Sequence, residues 1–180
     1  MRLFFFLIGF LIVSGCASTR IYILRHAEKS GEPADNPHLS EAGKIRARDL
    51  AGAIHNKHIK QIFATPTNRT FETVEPLSKR LNVPVEYYTN DTLLKFLIRV
   101  VRSEKSTVIV GHSNTIIRML DELQLPHQVK EIPDNDYDNL FIIKVKTKNP
   151  GGYAYKLKET TYGKLSPPAG DSSHPAMMMK

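Results

Sequence analysis

The sequence predicts an α/β fold: a three-layer α/β/α sandwich with a mostly parallel central sheet and an antiparallel hairpin at one edge. From residue 21 onward, short apolar runs alternate with amphipathic stretches, the pattern of strand-helix-strand units around a parallel sheet. Two later apolar runs flank the turn-forming segment 149–152 (NPGG), which indicates an antiparallel hairpin. With 180 residues, the chain is long enough for one sizeable core and too short for two ordinary domains.

The strands are predicted from short runs rich in β-branched and other apolar residues. The run 107–110 (TVIV) indicates a central, buried strand. Pro84 indicates that the third strand starts there or lies at an edge, because proline cannot donate a ladder hydrogen bond. The six predicted strands are 21–24, 61–63, 83–88, 107–110, 140–145 and 153–157.

Capping residues and apolar spacing predict the first two helices. Ser40 can cap a helix with Ala47, Leu50, Ala51 and Ile54 on one face. The second helix starts at Thr67 or Asn68, and Pro76 should kink or shorten it. Its predicted buried side comprises Thr70, Val74, Leu77 and Leu81.

Two further helices follow the third and fourth strands. Asp91 is predicted to be the N-cap of one, and segment 111–114 (GHSN) leads into the other. The predicted core stripes are Leu94, Leu97, Ile98 and Val101 in the first, and Ile116, Ile117, Leu120 and Leu123 in the second.

The first fifteen residues have the layout of a secretory signal peptide, with Arg2, an apolar run over 3–13 and small residues before Cys16. The run is shorter than the roughly 20 residues of a spanning helix. Segment 13–16 (VSGC) resembles a bacterial lipobox, which implies that Cys16 is lipidated and becomes the mature N-terminus. The alternative is an ordinary cleaved leader with an incidental cysteine.

These features divide the chain and predict where it works. We expect a leader at 1–15, a short linker at 16–20, one domain at 21–160 and a disordered tail, rich in Pro, Ser and Gly, at 161–180. The protein is expected to be exported, anchored by lipid to a bacterial membrane and to face the periplasm.

Composition limits the partners and cofactors. The net charge of +7 suits an anionic ligand or a negatively charged membrane surface. Nucleic acid is not expected, because the chain has no Trp and its lysines are scattered. Cys16 is the only cysteine, so an intrachain disulfide and a multi-cysteine metal site are excluded. His55 and His58 have helical spacing but lack the carboxylates that would complete a metal site.

Cationic side chains follow three of the predicted strands. His26 comes after the first strand, Arg69 after the second and His112 after the fourth. Ligands of open α/β sheets bind at the carboxyl ends of the strands, so these side chains should converge there. Together with Arg25 they would form an electropositive pocket, in which each guanidinium gives a planar fork of hydrogen bonds to phosphate.

Four motifs around these residues resemble, in order, those of the histidine phosphatase superfamily, also called phosphoglycerate mutase-like. The resemblance covers roughly residues 21–146. Segment 64–65 (AT) departs from it, because the family often has two serines there. The motifs are 24–28 (LRHAE), 39–43 (LSEAG), 65–70 (TPTNRT) and 110–113 (VGHS).

The resemblance implies a role for each matched residue. His26 would be the nucleophile that becomes a phosphohistidine, and Arg25, Arg69 and His112 would hold the phosphoryl group, with Thr65 and Ser113 lining the pocket. No metal or other cofactor is expected. The general acid is either Asp91, which follows the third strand, or Glu28, close to the nucleophile.

The function expected from this resemblance is hydrolysis of a small phosphate monoester. A phosphoglycerate mutase-type transferase and a non-catalytic phosphate- or envelope-binding lipoprotein that keeps the fold are the alternatives. The acidic segment 131–138, with Glu131, Asp134, Asp136 and Asp138, is interpreted as a solvated turn, and a substrate-selecting lid is the alternative.

Overall fold

The computed structural model describes residues 18–55, 57–148 and 150–167. The described strands form one six-stranded sheet flanked by four helices, so the predicted α/β fold is confirmed. The strands are β1 (Ser18–Arg25), β2 (Gln61–Ala64), β3 (Val85–Tyr87), β4 (Thr107–Gly111), β5 (Asn139–Thr147) and β6 (Tyr153–Thr161), and the helices are α1 (Glu41–Ile54), α2 (Asn68–Leu81), α3 (Leu93–Arg102) and α4 (Ser113–Glu122).

The sheet has the strand order β3-β2-β4-β1-β5-β6. The first four strands in this order are parallel, and β5 and β6 add an antiparallel edge. As predicted, β4 is central and fully buried, and β3 is an edge strand. The parallel strands therefore end at the same edge of the sheet.

The core lies in two layers, one on each face of the sheet. Leu50 of α1 and Leu77 of α2 pack with Tyr22 and Val110 on one face. Leu97 of α3 and Ile116 of α4 pack with Ile23, Phe63 and Ile109 on the other face. Alternate residues of each strand enter opposite layers, which is why the strands read as continuous apolar runs.

The first two helices begin where their sequences predict. Ser40 caps α1, since its Oγ accepts a hydrogen bond of 3.2 Å from the backbone N–H of Gly43. Thr67 is the N-cap residue of α2. Of the two effects predicted for Pro76, a kink or a shortening of α2, the shortening does not occur, because the helix continues through Pro76 to Leu81.

The predictions for the start and the buried face of α3 are wrong in part. Asp91 lies in a 3₁₀ turn, Asn90–Thr92, and Thr92 is the N-cap residue. Leu94 and Ile98 are 44% and 41% exposed. The buried face is Leu93, Phe96, Leu97, Val100 and Val101.

Aromatic packing sets this rotation of α3. The Phe96 ring stacks on Tyr88 with centroids 4.5 Å apart and meets Phe63 edge-to-face at 5.0 Å. Burying a large aromatic side chain contributes more than burying an aliphatic one, so Phe96 defines the inner face of the helix.

The ordered domain extends beyond both predicted boundaries. At the start, Ser18 pairs with Lys146, so the β1 ladder includes residues expected in the linker. At the end, Thr161 belongs to β6 and Tyr162 is only 5% exposed, because its ring packs under α1. The predicted leader and Cys16 lie outside the described residues. Within the described ranges, no helix is long and apolar enough to span a bilayer.

Candidate active site

The two histidines that follow strands come together at the carboxyl ends of β1 and β4. These strands are neighbours in the sheet, and the backbone N–H of His26 donates to the carbonyl of Gly111 at 3.0 Å. The ring centroids of His26 and His112 are 5.4 Å apart in an edge-to-face arrangement. Both imidazoles therefore share the edge at which open α/β sheets bind ligands.

The His26 ring is buried and held in one tautomer. Its Nδ1 donates a hydrogen bond of 2.8 Å to the carbonyl of Ala27, and because a carbonyl only accepts, Nδ1 carries the proton. Burial first, and then the nearby positive charges, lower the pKa of His26 from 6.5 to about 3 against the effect of that hydrogen bond. At neutral pH, Nε2 therefore keeps a free lone pair.

His112 is oriented by a chain of threonine hydroxyls. Its Nε2 lies 2.9 Å from Oγ1 of Thr65, which donates to Oγ1 of Thr70 at 3.1 Å. Thr70 in turn donates to the carbonyl of Thr65 at 2.7 Å. Because the single hydroxyl proton of Thr65 is used toward Thr70, Thr65 accepts from His112, and Nε2 of His112 carries the proton. The hydroxyl of Thr65, which the sequence predicts to bind substrate, is used here to hold His112.

Burial also keeps His112 neutral in the free protein. It lowers the pKa of His112 from 6.5 to about 4, with smaller contributions from the positive charges of Arg69 and Arg25. A dianion entering the site would oppose both charge contributions and raise the pKa of His112.

Arg25 is a buried guanidinium held by the segment 131–138. Its Nη1 donates to the carbonyls of Pro133 and Asp136 at 2.6 and 3.0 Å, and its Nη2 donates to Asp134 at 3.3 Å. The guanidinium carbon lies 4.5 Å from the centre of the Tyr137 ring. The Asp134 side chain is fully exposed, so the two carbonyls and the ring dominate this arrangement.

These contacts leave part of Arg25 available to a ligand. A guanidinium has five N–H donors, and the contacts use both hydrogens of Nη1 and one of Nη2. The Nε–H is buried and has no partner among the described residues. The Nε and Nη2 hydrogens lie along one edge of the guanidinium, the edge that forms a bidentate pair with an oxyanion.

Arg69 adds a second guanidinium from the first turn of α2. Burial, and then the positive charge of Arg25, lower the pKa of Arg69 from its ordinary value, while the group stays charged at neutral pH. In the part of the chain that the structure describes, Arg69 forms no ion pair within 4.0 Å. Two neighbouring guanidiniums, of which only Arg25 has a carboxylate partner and that one is fully exposed, favour an anionic ligand.

The loop after β1 is fixed from two sides. The backbone N–H of Ala27 donates to Oγ1 of Thr73 at 2.9 Å, which ties the loop to α2. On the other side, the backbone N–H of Ser40 donates to the carbonyl of Glu28 at 2.9 Å. A Cβ on Gly43 would lie 2.2 Å from that carbonyl, so only glycine lets α1 approach so closely. The motif at 39–43 therefore braces the loop that carries His26.

The carboxylate of Glu28 is held by Arg46. Nε of Arg46 lies 3.0 and 2.9 Å from the two carboxylate oxygens, and Nη2 lies 2.8 Å from one of them. Nη1 of Arg46 also donates to the carbonyl of Tyr162 at 3.1 Å. This fork occupies both carboxylate oxygens of Glu28, so neither is free to reach a leaving group.

The other predicted acid, Asp91, is exposed in the 3₁₀ turn after β3. It forms no hydrogen bond or ion pair with any residue in the described ranges that would hold it in the site. The turn follows β3 at the same edge of the sheet as His26. Asp91 therefore stays a predicted acid that is free to move.

Ser113 is the first residue of α4 and lines a cleft of about 620 Å³ beside the site. Asp134 borders the same cleft from the opposite side, and charges of both signs lie between them. The other lining residues are Asn114, Ile117, Arg118, Asp121, Lys130, Glu131, Ile132 and Pro133.

Tyr137 is a site residue that the sequence analysis missed. Its ring lies 6.1 Å from that of His26, and its backbone N–H donates to Oγ of Ser166 at 2.8 Å. Ser166 itself donates through its backbone N–H to Asp138 at 2.6 Å. The strand topology places Tyr137 here. Because β5 runs antiparallel to β1, the segment just before β5 lies beside Arg25 at the end of β1.

Two arginines supply positive charge at this site. Within the described ranges, no group of three or more His, Cys, Asp or Glu side chains is placed to hold a metal ion. The positive charge at the site comes from Arg25 and Arg69, which repel a cation.

Comparison with known proteins finds a family match and structures of similar fold. Residues 21–94 match the family model of the histidine phosphatase superfamily (branch 1). This range carries His26, Arg69 and the brace around Gly43. Over it, the chain is similar to the histidine phosphatase superfamily.

A curated relative shares part of this range. The chain is 31% identical over 72 residues to phosphoserine phosphatase 1 of Hydrogenobacter thermophilus, which is 37% of this chain and 34% of that protein. The matched part spans about a third of the length of that relative.

Solved structures share the fold over most of the domain. A mycobacterial glucosyl-3-phosphoglycerate phosphatase aligns with a TM-score of 0.62 at 13% identity, covering 81% of this chain and 100% of that one. The protein histidine phosphatase SixA, in complex with tungstate, aligns with a TM-score of 0.59 at 16% identity, covering 79% and 97%. At this identity the likeness concerns the fold.

Proposed function

We propose that this protein is a phosphatase that hydrolyses small phosphate monoesters through a phosphohistidine at His26, without a metal. The observation that carries the proposal is the fixed tautomer of His26, which leaves a lone pair on Nε2 in a ring whose neighbouring positive charges include Arg25 and Arg69. The superfamily match and the names of the similar proteins support the same reaction class.

In the first step, Nε2 of His26 attacks the phosphorus atom. The N–P bond forms as the bond to the ester oxygen breaks, and the alcohol leaves with a proton. Arg25 and Arg69 balance charge on the equatorial oxygens, and His112 donates a hydrogen bond once the dianion has raised its pKa. In the second step, water attacks the same phosphorus and gives a proton back to the carboxylate that protonated the alcohol. The N–P bond breaks, and inorganic phosphate and neutral His26 are released.

We propose Asp91 rather than Glu28 as the acid for the leaving alcohol. The carboxylate of Glu28 is already bound by the Arg46 fork, whereas that of Asp91 is exposed and unattached. Esters whose leaving group needs no protonation, such as an activated phenol, should be hydrolysed by Asp91→Asn almost as fast as by the parent protein.

The substrate class follows from the cleft beside Ser113. Its walls carry Arg118 and Lys130 as well as Asp121 and Glu131, so a polar leaving group fits better than an apolar one. Phosphoserine and sugar phosphates are the monoester classes suggested by the names of the similar proteins. Protein phosphohistidine, whose leaving group is an imidazole nitrogen rather than an alcohol, is a further class for the test.

The decisive experiment compares turnover of an aryl phosphate by the purified full chain with that by His26→Gln. His55→Gln is the matched control, because His55 lies at the end of α1, outside the site. We expect loss of turnover by about a thousandfold or more in His26→Gln only. An acid-labile phosphate on His26 should accumulate in the intact protein, and a chelator should not reduce the rate.

Two results would contradict this proposal. Equal turnover in the intact protein and in His26→Gln would remove His26 as the nucleophile. Phosphate binding with neither turnover nor a phosphoenzyme, across all the substrate classes above, would favour the non-catalytic binding protein.

We also propose that the protein is exported and lipid-anchored at Cys16. The leader layout and the lipobox resemblance at 13–16 support this location. Mass measurement of the mature N-terminus tests it. An unmodified Cys16, or a leader still attached, would contradict it.

A further inference from the structure

A row of three cations crosses the sheet far from the active site. Arg20 of β1 is paired with Lys144 of β5, and Lys144 is paired with Lys156 of β6. Residues directly opposite on neighbouring strands point to the same face, with Cβ atoms about 5 Å apart. The three positive side chains therefore stand side by side.

Two more lysines extend this row on the same face. Lys146 lies two residues along β5 from Lys144, and Lys158 lies two residues along β6 from Lys156, so both point the same way. All of these side chains are exposed except that of Lys144, which is half-buried. We name the set of Arg20, Lys144, Lys146, Lys156 and Lys158 the basic face.

The basic face is not neutralised by neighbouring acids. In the part of the chain that the structure describes, none of its five side chains forms an ion pair. The acidic residue of β6, Glu159, pairs with Phe141 and so points to the opposite face. Like charges directly opposite each other destabilise a sheet, so the row lowers the stability of the fold. Core packing therefore gives no reason for these lysines to lie together.

The position of the basic face indicates its partner. Ser18, the first residue of β1, is paired with Lys146 of this face and lies two residues after Cys16. The segment 3–13 that precedes Cys16 is apolar. The chain thus enters the domain beside the basic face, two residues after the proposed lipid anchor at Cys16.

We propose that the basic face docks on the anionic surface of a lipid bilayer. Exposed cations beside the point where the chain leaves the membrane gain Coulomb energy from anionic head groups within a Debye length. Arg25 lies seven residues further along β1, about 23 Å from Ser18 at roughly 3.3 Å per residue. The active site therefore lies at the end of β1 that is remote from the point where the chain enters the domain.

The test measures partitioning of the full chain with Cys16→Ser, which removes any lipid anchor from every arm. Vesicles of phosphatidylcholine alone are compared with vesicles that also contain phosphatidylglycerol. Each cation near an anionic surface should contribute about a fivefold preference. The variant K146Q/K156Q/K158Q should lose this preference by about 100-fold, and high salt should remove it from the parent.

A matched variant separates the basic face from net charge. K44Q/K79Q/K95Q removes the same number of charges from exposed positions on three helices and should keep the preference. Equal losses in the two triple variants, or no preference in the parent chain, would overturn the proposal. The apolar segment 3–13 contributes equally to all arms.

Two further measurements make the result independent of the proposed function. Amine-reactive labelling of the native chain on anionic vesicles should spare Lys156 and Lys158 and modify Lys44 and Lys95. Labelling of both pairs to the same extent would contradict the predicted orientation. Aryl phosphate turnover in solution should be unchanged in both triple variants, so failure of the phosphatase proposal and failure of docking give different results.

Discussion

The two arginines of β1 lie at opposite ends of the strand and in opposite environments. Arg25 is 4% exposed, and its guanidinium is held by two carbonyls and the Tyr137 ring. Arg20 is exposed beside Lys144 and forms no ion pair in the described ranges. Arg25 is thus held in one orientation for directed hydrogen bonds, whereas Arg20 presents only a positive charge to the solvent.

The largest expected difference comes from replacing each arginine by lysine. Arg25→Lys keeps the charge but loses the planar fork, so kcat/KM for an aryl phosphate should fall about 100-fold or more. Arg20→Lys should leave turnover unchanged, because a diffuse charge needs no fork. Steady-state kinetics of both variants check this, and equal effects of the two substitutions would break the comparison.

The next effect is the pH dependence of stability that the buried His26 confers. Its pKa is lowered to about 3 in the folded protein, below the ordinary value of 6.5, so the unfolded chain binds more protons between these values. Stability should therefore fall as pH decreases from about 6.5 toward 3. Linkage gives a loss of about 2 kcal/mol between pH 7 and pH 5 from this group.

Denaturant unfolding at several pH values measures this slope. In His26→Gln, the loss in the free energy of unfolding between pH 7 and pH 5 should be smaller than in the parent by about 2 kcal/mol. In His55→Gln it should equal that of the parent. The carbon resonances of the His26 ring should also show no titration above pH 5. Titration near pH 6.5 would show that the ring is not desolvated.

A smaller effect should follow removal of the aromatic face over Arg25. Tyr137→Leu loses the cation-π contact, and kcat/KM should fall about two- to fivefold, whereas Tyr137→Phe keeps the ring and serves as the control. Equal losses in both variants would assign the effect to the hydroxyl rather than to the ring. Kinetics with a single aryl phosphate are sufficient.

The sequence predicts the strand-end histidines because their signal is local. His26 and His112 each follow an apolar run directly, and a parallel sheet brings such ends together. Tyr137 and the carbonyl of Pro133 carry no local signal. They reach Arg25 through a long-range pairing of β5 with β1, and a backbone carbonyl has no sequence signature at all.

The face of α3 was predicted wrongly for a related reason. Both the predicted stripe and the observed one have helical spacing, and the choice between them depends on contacts with distant residues. Phe96 selects the inner face because it packs on Phe63 and Tyr88 from two other parts of the chain. The same holds for Glu28, because the arginine that binds its carboxylate, Arg46, lies on a separate helix, α1.

The smallest predicted effect has the opposite sign from the others. Lys156→Thr removes one charge from the cross-strand row and introduces a residue with high strand propensity. Relief of the repulsion with Lys144 should increase the free energy of unfolding by about 0.2–1 kcal/mol. Raising the salt concentration should shrink this gain, because screening already relieves the repulsion in the parent.

Lys95→Thr on the exposed side of α3 is the control, since it lowers net charge equally but replaces a good helix former. It should decrease the free energy of unfolding measured in denaturant. A decrease in Lys156→Thr as well would mean that the lysine stabilises the sheet through its own packing. The cation row would then be explained by its contribution to folding, without an anionic partner. Arg20 and Arg25 would in that case differ only in how deeply they are buried.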